Sequence, residues 1–273
     1  MSKRNFKRLV VIADTHCGHM FGLTPPQWWL PRNPKGFSPR VKNKPRKIAD
    51  TQRRMWGGYC ATLNELKPID YLAVNGDAID GKAERSGGTE LITTDREEQA
   101  HMAAQCISQA ECARIFMTYG TPYHTGVDED WESLVGDLVQ VEEIGSHVWL
   151  DINGLTFDFK HFIGSSSIPH GRGTSIARDR LWNMLWAERE EQPLARILIR
   201  SHVHYYVAYE ERMWRGIITP ALQAAGTKFG ARRQSGTVDM GLVYFDVYDD
   251  GSYTWQPRFL RRGVRKAKAT KLT

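Results

Sequence analysis

The sequence predicts an α/β protein: strands alternating with helices in a parallel sheet, followed by a second sheet. Three observations predict it. Apolar runs at 9–13, 71–74, 115–119 and 196–200 have the length of buried strands. Stretches with helical apolar spacing separate the first three, which is the pattern of parallel crossovers. Each run ends in a polar cluster, so the chemistry should gather at the strands' C-terminal edge.

The elements follow in chain order. A strand over about 7–13 ends in Asp14-Thr15-His16. The stretch 17–47, with Pro25, Pro26, Pro31, Pro34, Pro39 and Pro45, is too rich in proline for helix or central strand and reads as an insertion loop. Its Trp28, Trp29 and Phe37 stand among positive charges, where they can stack bases or pin the loop to the body. Helical spacing of Ile48, Met55, Tyr59, Leu63 and Leu66 predicts a helix over 47–66, stopped by Pro68. The strand at 71–74 runs into Asn75-Gly76-Asp77-Ala78-Ile79-Asp80. Thr94 and Glu97 form a capping box for a helix reaching Ala113, and a third strand at 115–119 ends in Gly120-Thr121-Pro122-Tyr123-His124.

A helix is expected over 130–143, then strands near 147–152 and 155–161, the latter alternating and ending at His161. Ile176, Leu181, Leu185 and Trp186 predict an amphipathic helix over 174–190. The strand 196–200 ends in Ser201-His202-Val203-His204, and strands near 205–209, 215–219, 241–248 and 253–259 are expected to complete a second sheet.

With 273 residues, 41% hydrophobic and 25% charged, the chain suits one domain, expected over 1–257, with a basic tail at 258–273. No apolar run approaches the roughly 20 residues of a membrane helix, and Met1-Ser2-Lys3-Arg4 leads straight into a strand, so a cytoplasmic protein is expected. Cys17, Cys60, Cys106 and Cys112 lack Cys-x-x-Cys spacing and are expected to be reduced. Charge is unevenly spread. Residues 1–8, 32–54 and 258–273 hold 20 of the 37 basic residues and, in Asp50, one of the 31 acids, leaving 17 basic against 30 acidic residues elsewhere. An acidic body suits cation binding, and basic edges suit a polyanion such as DNA or RNA or are simply solvated.

Asp14, His16, Asp77, His124, His161, His202 and His204 all follow apolar strands. Carboxylate and imidazole without thiolate suit borderline divalent ions: manganese first, with iron, zinc or nickel as alternatives. Asp-x-His, Gly-Asp-x-x-Asp at 76–80, the turn at 120–124, a lone strand-end His161 and Ser-His-x-His at 201–204 resemble the calcineurin-like metallophosphoesterase superfamily, in a style similar to its phage-encoded members. The resemblance spans residues 9–204. It implies a four-layer sandwich of two mixed sheets flanked by helices, with two divalent metals on one edge; a phage-encoded chain would work in its host's cytoplasm.

By the same resemblance Asp14, His16 and His204 hold one metal, His161 and His202 the other, and Asp77 bridges, with Asp80 supporting the site through hydrogen bonds. The third motif departs from the family's Gly-Asn-His. Thr121 can replace the asparagine as a ligand, or His124 can ligate or act as proton donor, with Asp128, Glu129 and Asp130 near enough in sequence to orient it or, equally, to be a solvated helix start. Arg172 and Arg178 are candidates to clamp phosphate oxygens, or to form surface salt bridges. The expected reaction is attack of a metal-bridging hydroxide on a phosphate ester. A nucleic-acid or nucleotide phosphodiester is the first expectation, through the basic segments 32–54 and 258–273. A phosphomonoesterase and a nucleic-acid-binding protein with an inactive centre are the alternatives.

Overall fold

The computed structural model describes residues 4–32, 43–84, 87–126, 130–225, 236–260 and 269. The first sheet has the order β11-β10-β1-β2-β3-β4 and contains β1 (Phe6–Ile12), β2 (Tyr71–Asn75), β3 (Ile115–Thr118), β4 (Glu143–Gly145), β10 (Gly241–Tyr248) and β11 (Tyr253–Phe259). The second has the order β5-β6-β7-β9-β8, from β5 (Val148–Ile152), β6 (Leu155–Phe159), β7 (Ile197–Arg200), β8 (Val207–Glu211) and β9 (Trp214–Ile218). Strands β1 to β4 run parallel, β10 and β11 are antiparallel additions, and the second sheet joins parallel β6-β7-β9 to antiparallel β5 and β8. Both sheets are mixed.

Successive strand residues point to opposite faces, and this alternation builds the layers. Leu9, Val11, Ala73, Phe116, Val243 and Phe245 face inward onto Phe157, Phe159, Ile197 and Ile199 of the second sheet. Val10, Ile12, Leu72, Val74 and Met117 face outward onto Met55, Tyr59 and Leu63 of α1 (Asn43–Leu66), Met102 and Cys106 of α2 (Arg96–Ser108) and, beyond the single turn α3 (Pro122–Thr125), Val135 of α4 (Trp131–Val139). Leu198 and Ile218 on the far side of the second sheet meet Ile176 of α5 (Thr174–Glu188). The result is helices, sheet, sheet, helix, the four layers expected. Among the described residues no helix is long and apolar enough to cross a membrane.

Four details depart from expectation. Strands β10 and β11 join the first sheet rather than the second, because β10 pairs with β1 from Phe6↔Tyr248 to Val11↔Val243. Helix α1 begins at Asn43, inside the proline-rich stretch: Pro45 lies in the first turn, whose N–H groups have no intrahelical partner to lose. Helix α2 is capped by Asp95, which accepts from the N–H groups of Glu97 and Glu98, and ends at Ser108. A carboxylate is as good a cap as the expected Thr94 hydroxyl and also suits the helix dipole. Finally, α5 buries Ile176 but leaves Leu181 and Leu185 exposed.

The described basic residues are mostly engaged. Arg4 and Lys7 pair with Asp70, Arg8 with Asp246, and Arg32 with Asp50, while Arg53 lies over the Trp29 ring. Trp28 donates to Glu98 of α2 and so, with Trp29 beneath Arg53 of α1, pins the insertion to the body, while the Trp29 N–H closes on the Thr24 carbonyl within the insertion. Residues 33–42, including Phe37, and residues 261–268 and 270–273 of the tail lie outside the described residues, while Arg258 and Phe259 belong to β11.

Candidate metal centre

Five loops at one edge of the two sheets, those after β1, β2, β3, β6 and β7, build the centre. After β1 and β2 the chain continues as a short ladder: the N–H groups of Asp14, His16 and Cys17 donate to the carbonyls of Gly76, Asp77 and Ala78 at 3.0 Å each. That ladder holds the Asp-x-His and Gly-Asp segments side by side. From the second sheet, the Ser201 N–H donates to the His161 carbonyl, joining the ends of β6 and β7. Asn75 fastens one sheet to the other: its amide donates to Ser201 Oγ (2.7 Å) and its oxygen accepts from Thr118 Oγ1 (2.8 Å).

Backbone conformation aims the side chains. Asp14 (φ 51°), His16 (43°), Asp77 (50°), His202 (71°) and His204 (55°) all adopt left-handed conformations that residues other than glycine avoid. Each costs of order 1 kcal/mol, and such strain persists where the surroundings over-determine it, as at binding sites. Two glycines make room. A Cβ on Gly76 would meet the His161 ring, and one on Gly120 would overlap the Asp77 carboxylate.

The inward atoms converge. His204 Nε2 lies 3.1 Å from His16 Nε2 and 3.2 Å from Asp14 Oδ1. Around Asp77 Oδ2 stand His161 Nε2 at 3.0 Å, His202 Nδ1 at 3.9 Å, and the Nε2 atoms of His16 and His124 at 4.0 Å. Three sets of ligand atoms result: Asp14, His16 and His204; His16, Asp77 and His124; Asp77, His161 and His202. Asp14 Oδ1, His161 Nε2 and His202 Nδ1 are buried without a hydrogen-bond partner. Buried polar atoms left this way are costly unless something else satisfies them. Carboxylate oxygens and imidazole nitrogens with their lone pairs facing one another fit a divalent cation.

The outer partners fix which nitrogen points inward. His161 Nδ1 donates to the Asn75 carbonyl (2.7 Å), and His124 Nδ1 to the Asp80 carbonyl (2.9 Å). His16 Nδ1 lies 3.0 Å from Asp80 Oδ1, which accepts its proton. In each ring Nε2 is left for the centre, the arrangement that orients metal-binding histidines. Asp80 thus holds the ring of His16 rather than facing the cluster centre. Thr121 sits on Asp77: its N–H donates to Oδ1 at 2.7 Å and its hydroxyl at 3.2 Å.

Titration follows the same geometry. Burial raises the Asp77 carboxyl, but the surrounding imidazoles, His161 foremost, hold it well below its ordinary range. Burial lowers His161, and Asp77 more than reverses this, pushing it up to about 10. The Asp77 carboxylate thus calls for positive charge at His161 Nε2, which a proton or a metal can supply. Burial, with the charges of His124 and His204, pushes His16 well below its usual value.

Two contributors carry no sequence signal. Glu132, fully buried, accepts from the Ala78 N–H (2.5 Å) and the Gly120 N–H (2.6 Å), clamping the second and third motifs; burial and then Asp77 push it up to about 8. Gln99 accepts from Asp80 N–H and Gly81 N–H and donates to the Gly81 carbonyl. A glutamate in a helix's first turn reads as a surface residue, and a glutamine within a helix reads as nothing in particular. Asp130 caps α4 by accepting from Glu132 N–H, whereas Asp128 and Glu129 lie outside the described residues. Arg172 lies over the Tyr205 ring at 4.3 Å, next in sequence to His204, and donates to Thr237. Arg178 is exposed on α5, near Gly164.

Motif order and architecture agree with a calcineurin-like metallophosphoesterase fold. No family model and no curated protein sequence matches the chain. Among solved structures it is similar to a novel archaeal phosphodiesterase (12% identity over 92% of this chain and 99% of that one, TM-score 0.45). It is also similar to a Vps29 mutant from Entamoeba histolytica (13%, 93% and 99%, TM-score 0.43). A predicted phosphoesterase from Streptococcus pneumoniae matches at 11%, over 94% and 100%, with a TM-score of 0.38. At such scores the likeness adds nothing to the site's own geometry.

Proposed function

We propose that this chain is a metal-dependent phosphoesterase, with a nucleic-acid or nucleotide phosphodiester as substrate. The observation that carries the reading is the convergence of two buried carboxylates and five imidazoles, with three of their inward atoms lacking a hydrogen-bond partner. In this reading Asp14, His16 and His204 would hold one divalent cation and His161 and His202 a second, Asp77 would contribute to both, and manganese is the first choice. Such a pair of cations supplies Lewis-acid stabilisation of phosphate oxygens and a water acidified enough to attack phosphorus at neutral pH.

The chain's own groups do the rest. Asp80 and the Asn75 carbonyl hold His16 and His161 in orientation, and Thr121 fixes Asp77. His124, anchored through Nδ1, turns Nε2 toward the centre, from where it is the group proposed to protonate the leaving alkoxide. Arg172, over the Tyr205 ring and donating to Thr237, is the guanidinium proposed to bind nonbridging oxygens. The basic segments 32–54 and 258–273 support the choice of a polyanion, since lysine and arginine contacts with phosphates supply most nonspecific affinity.

The test is hydrolysis by metal-stripped protein, with and without manganese, of a phosphodiester reporter, a phosphomonoester reporter and labelled DNA and RNA. Diester cleavage that requires manganese and is abolished in Asp77→Ala is expected. His124→Ala should slow a poor leaving group by about 10²-fold while sparing one that departs unprotonated. Cleavage of the monoester alone sinks the diesterase reading. Salt-sensitive nucleic-acid binding without cleavage sinks the enzyme.

A further inference from the structure

Phe162 follows the candidate ligand His161 directly and is 55% exposed. Its ring lies against that of His202, with centroids 4.9 Å apart and planes tilted by 41°. A lone exposed aromatic is ordinary on a protein surface, but this one stands where the centre opens. The His202 side chain is 33% exposed, against 17% for His124 and His204 and 3% or less for His16 and His161. A molecule that reaches the centre on the His202 side therefore meets the Phe162 ring.

Two cations share this border. Lys160 and Phe162 are both exposed while His161 between them is buried, the alternation of an extended segment in which residues two apart share a face. The Arg178 guanidinium reaches the same segment from α5: a Cβ on Gly164 would stand 3.6 Å from its Nη2. An apolar ring flanked by lysine and arginine at the mouth of a phosphate-ester site matches what a nucleotide offers, a flat π face joined to an anion. A phosphate ester without a base would meet the cations and leave the ring in water. Every base has a π face, so such a platform accepts a nucleotide without choosing its sequence.

We propose that Phe162 is the stacking platform for a nucleobase of the substrate, with Lys160 and Arg178 contacting the adjoining phosphates; this rests on the phosphodiester reading above. The test is calorimetric titration of the manganese-loaded full chain with 5′-AMP and with ribose 5-phosphate, which lacks only the base. In the wild type the base is expected to tighten binding at least about fivefold. Phe162→Ala should bring the ratio of the two dissociation constants close to one. Phe162→Leu keeps an apolar side chain beside His161 but has no π face, and should lower the ratio even if Phe162→Ala does not fold. Phe162→Trp should keep or raise it, and Lys160→Ala should weaken both ligands alike. A wild type that does not distinguish the two ligands, or a ratio that neither Phe162→Ala nor Phe162→Leu lowers, overturns the platform. A base preference lost in these variants, in a protein that hydrolyses no diester, sinks the phosphoesterase reading and leaves the platform standing. Diester hydrolysis with the preference untouched in the variants does the opposite.

Discussion

Glu132 shows how a single side chain can govern a site it does not enter. Its two oxygens accept from the N–H groups of Ala78 and Gly120, which flank Asp77 from two different loops. Glutamine at this position must turn its NH₂ toward one of those buried donors, leaving it unsatisfied at a cost of about 1–3 kcal/mol. Glu132→Gln is therefore expected to lower the melting temperature by several degrees and to weaken manganese binding in calorimetry. An unchanged metal affinity would show that the clamp does not position Asp77.

At the scale of elements, the second sheet is tied to α5 by a buried polar group. Asp158 on β6 accepts from Arg200 Nη1 (2.7 Å) on β7 and lies 2.9 Å from His147 Nε2, while Arg200 also pairs with Asp179 of α5. Burial alone would raise the Asp158 carboxyl, but His147 and Arg200 hold it below its ordinary value. A carboxylate lowered on folding contributes stability present above its unfolded pKa and lost as pH falls through the folded one. Asp158→Asn should therefore cost about 3 kcal/mol near neutrality, because it leaves Arg200 charged and poorly paired. Denaturant titrations should show the gap from wild type closing below about pH 4. A gap that persists at low pH would mean that packing, not charge, is lost.

For the whole molecule, the centre concentrates strain and unpaired atoms: five left-handed residues and three orphaned polar atoms are gathered where the two sheets' edges meet. A ligand that binds only the folded state stabilises it by mass action, about 2.7 kcal/mol at a hundredfold excess over Kd. Manganese is expected to raise the melting temperature by roughly 5 °C or more, and a chelator to reverse this. Asp77→Ala should lose most of the shift. A wild-type melting curve indifferent to both additions would count against a metal site.

Much of this centre was legible in the chain. Buried strands announce themselves by apolar runs, and a polar cluster at a strand's end has one place to be, the sheet edge. Asp14, His16, Asp77, His124, His161, His202 and His204 therefore stood out, and the fold brings their inward atoms to one cluster. The assignment of β10 and β11, the cap at Asp95, the roles of Glu132, Gln99 and Asn75, and the outward apolar face of α5 were not legible. Apart from the cap, a choice between adjacent residues, each is set by a partner far away in sequence. Periodicity records whether a residue can be buried; which neighbour buries it, and which N–H its oxygen meets, is decided only when the two sheets pack. The sequence alone determined the alternation of strands and helices and the residues gathered at one edge, because strand and helix periods are local; the four layers were what the resemblance implied. The tertiary structure decided which nitrogen of each histidine points inward and which atoms remain unpartnered, because those depend on contacts between loops tens of residues apart.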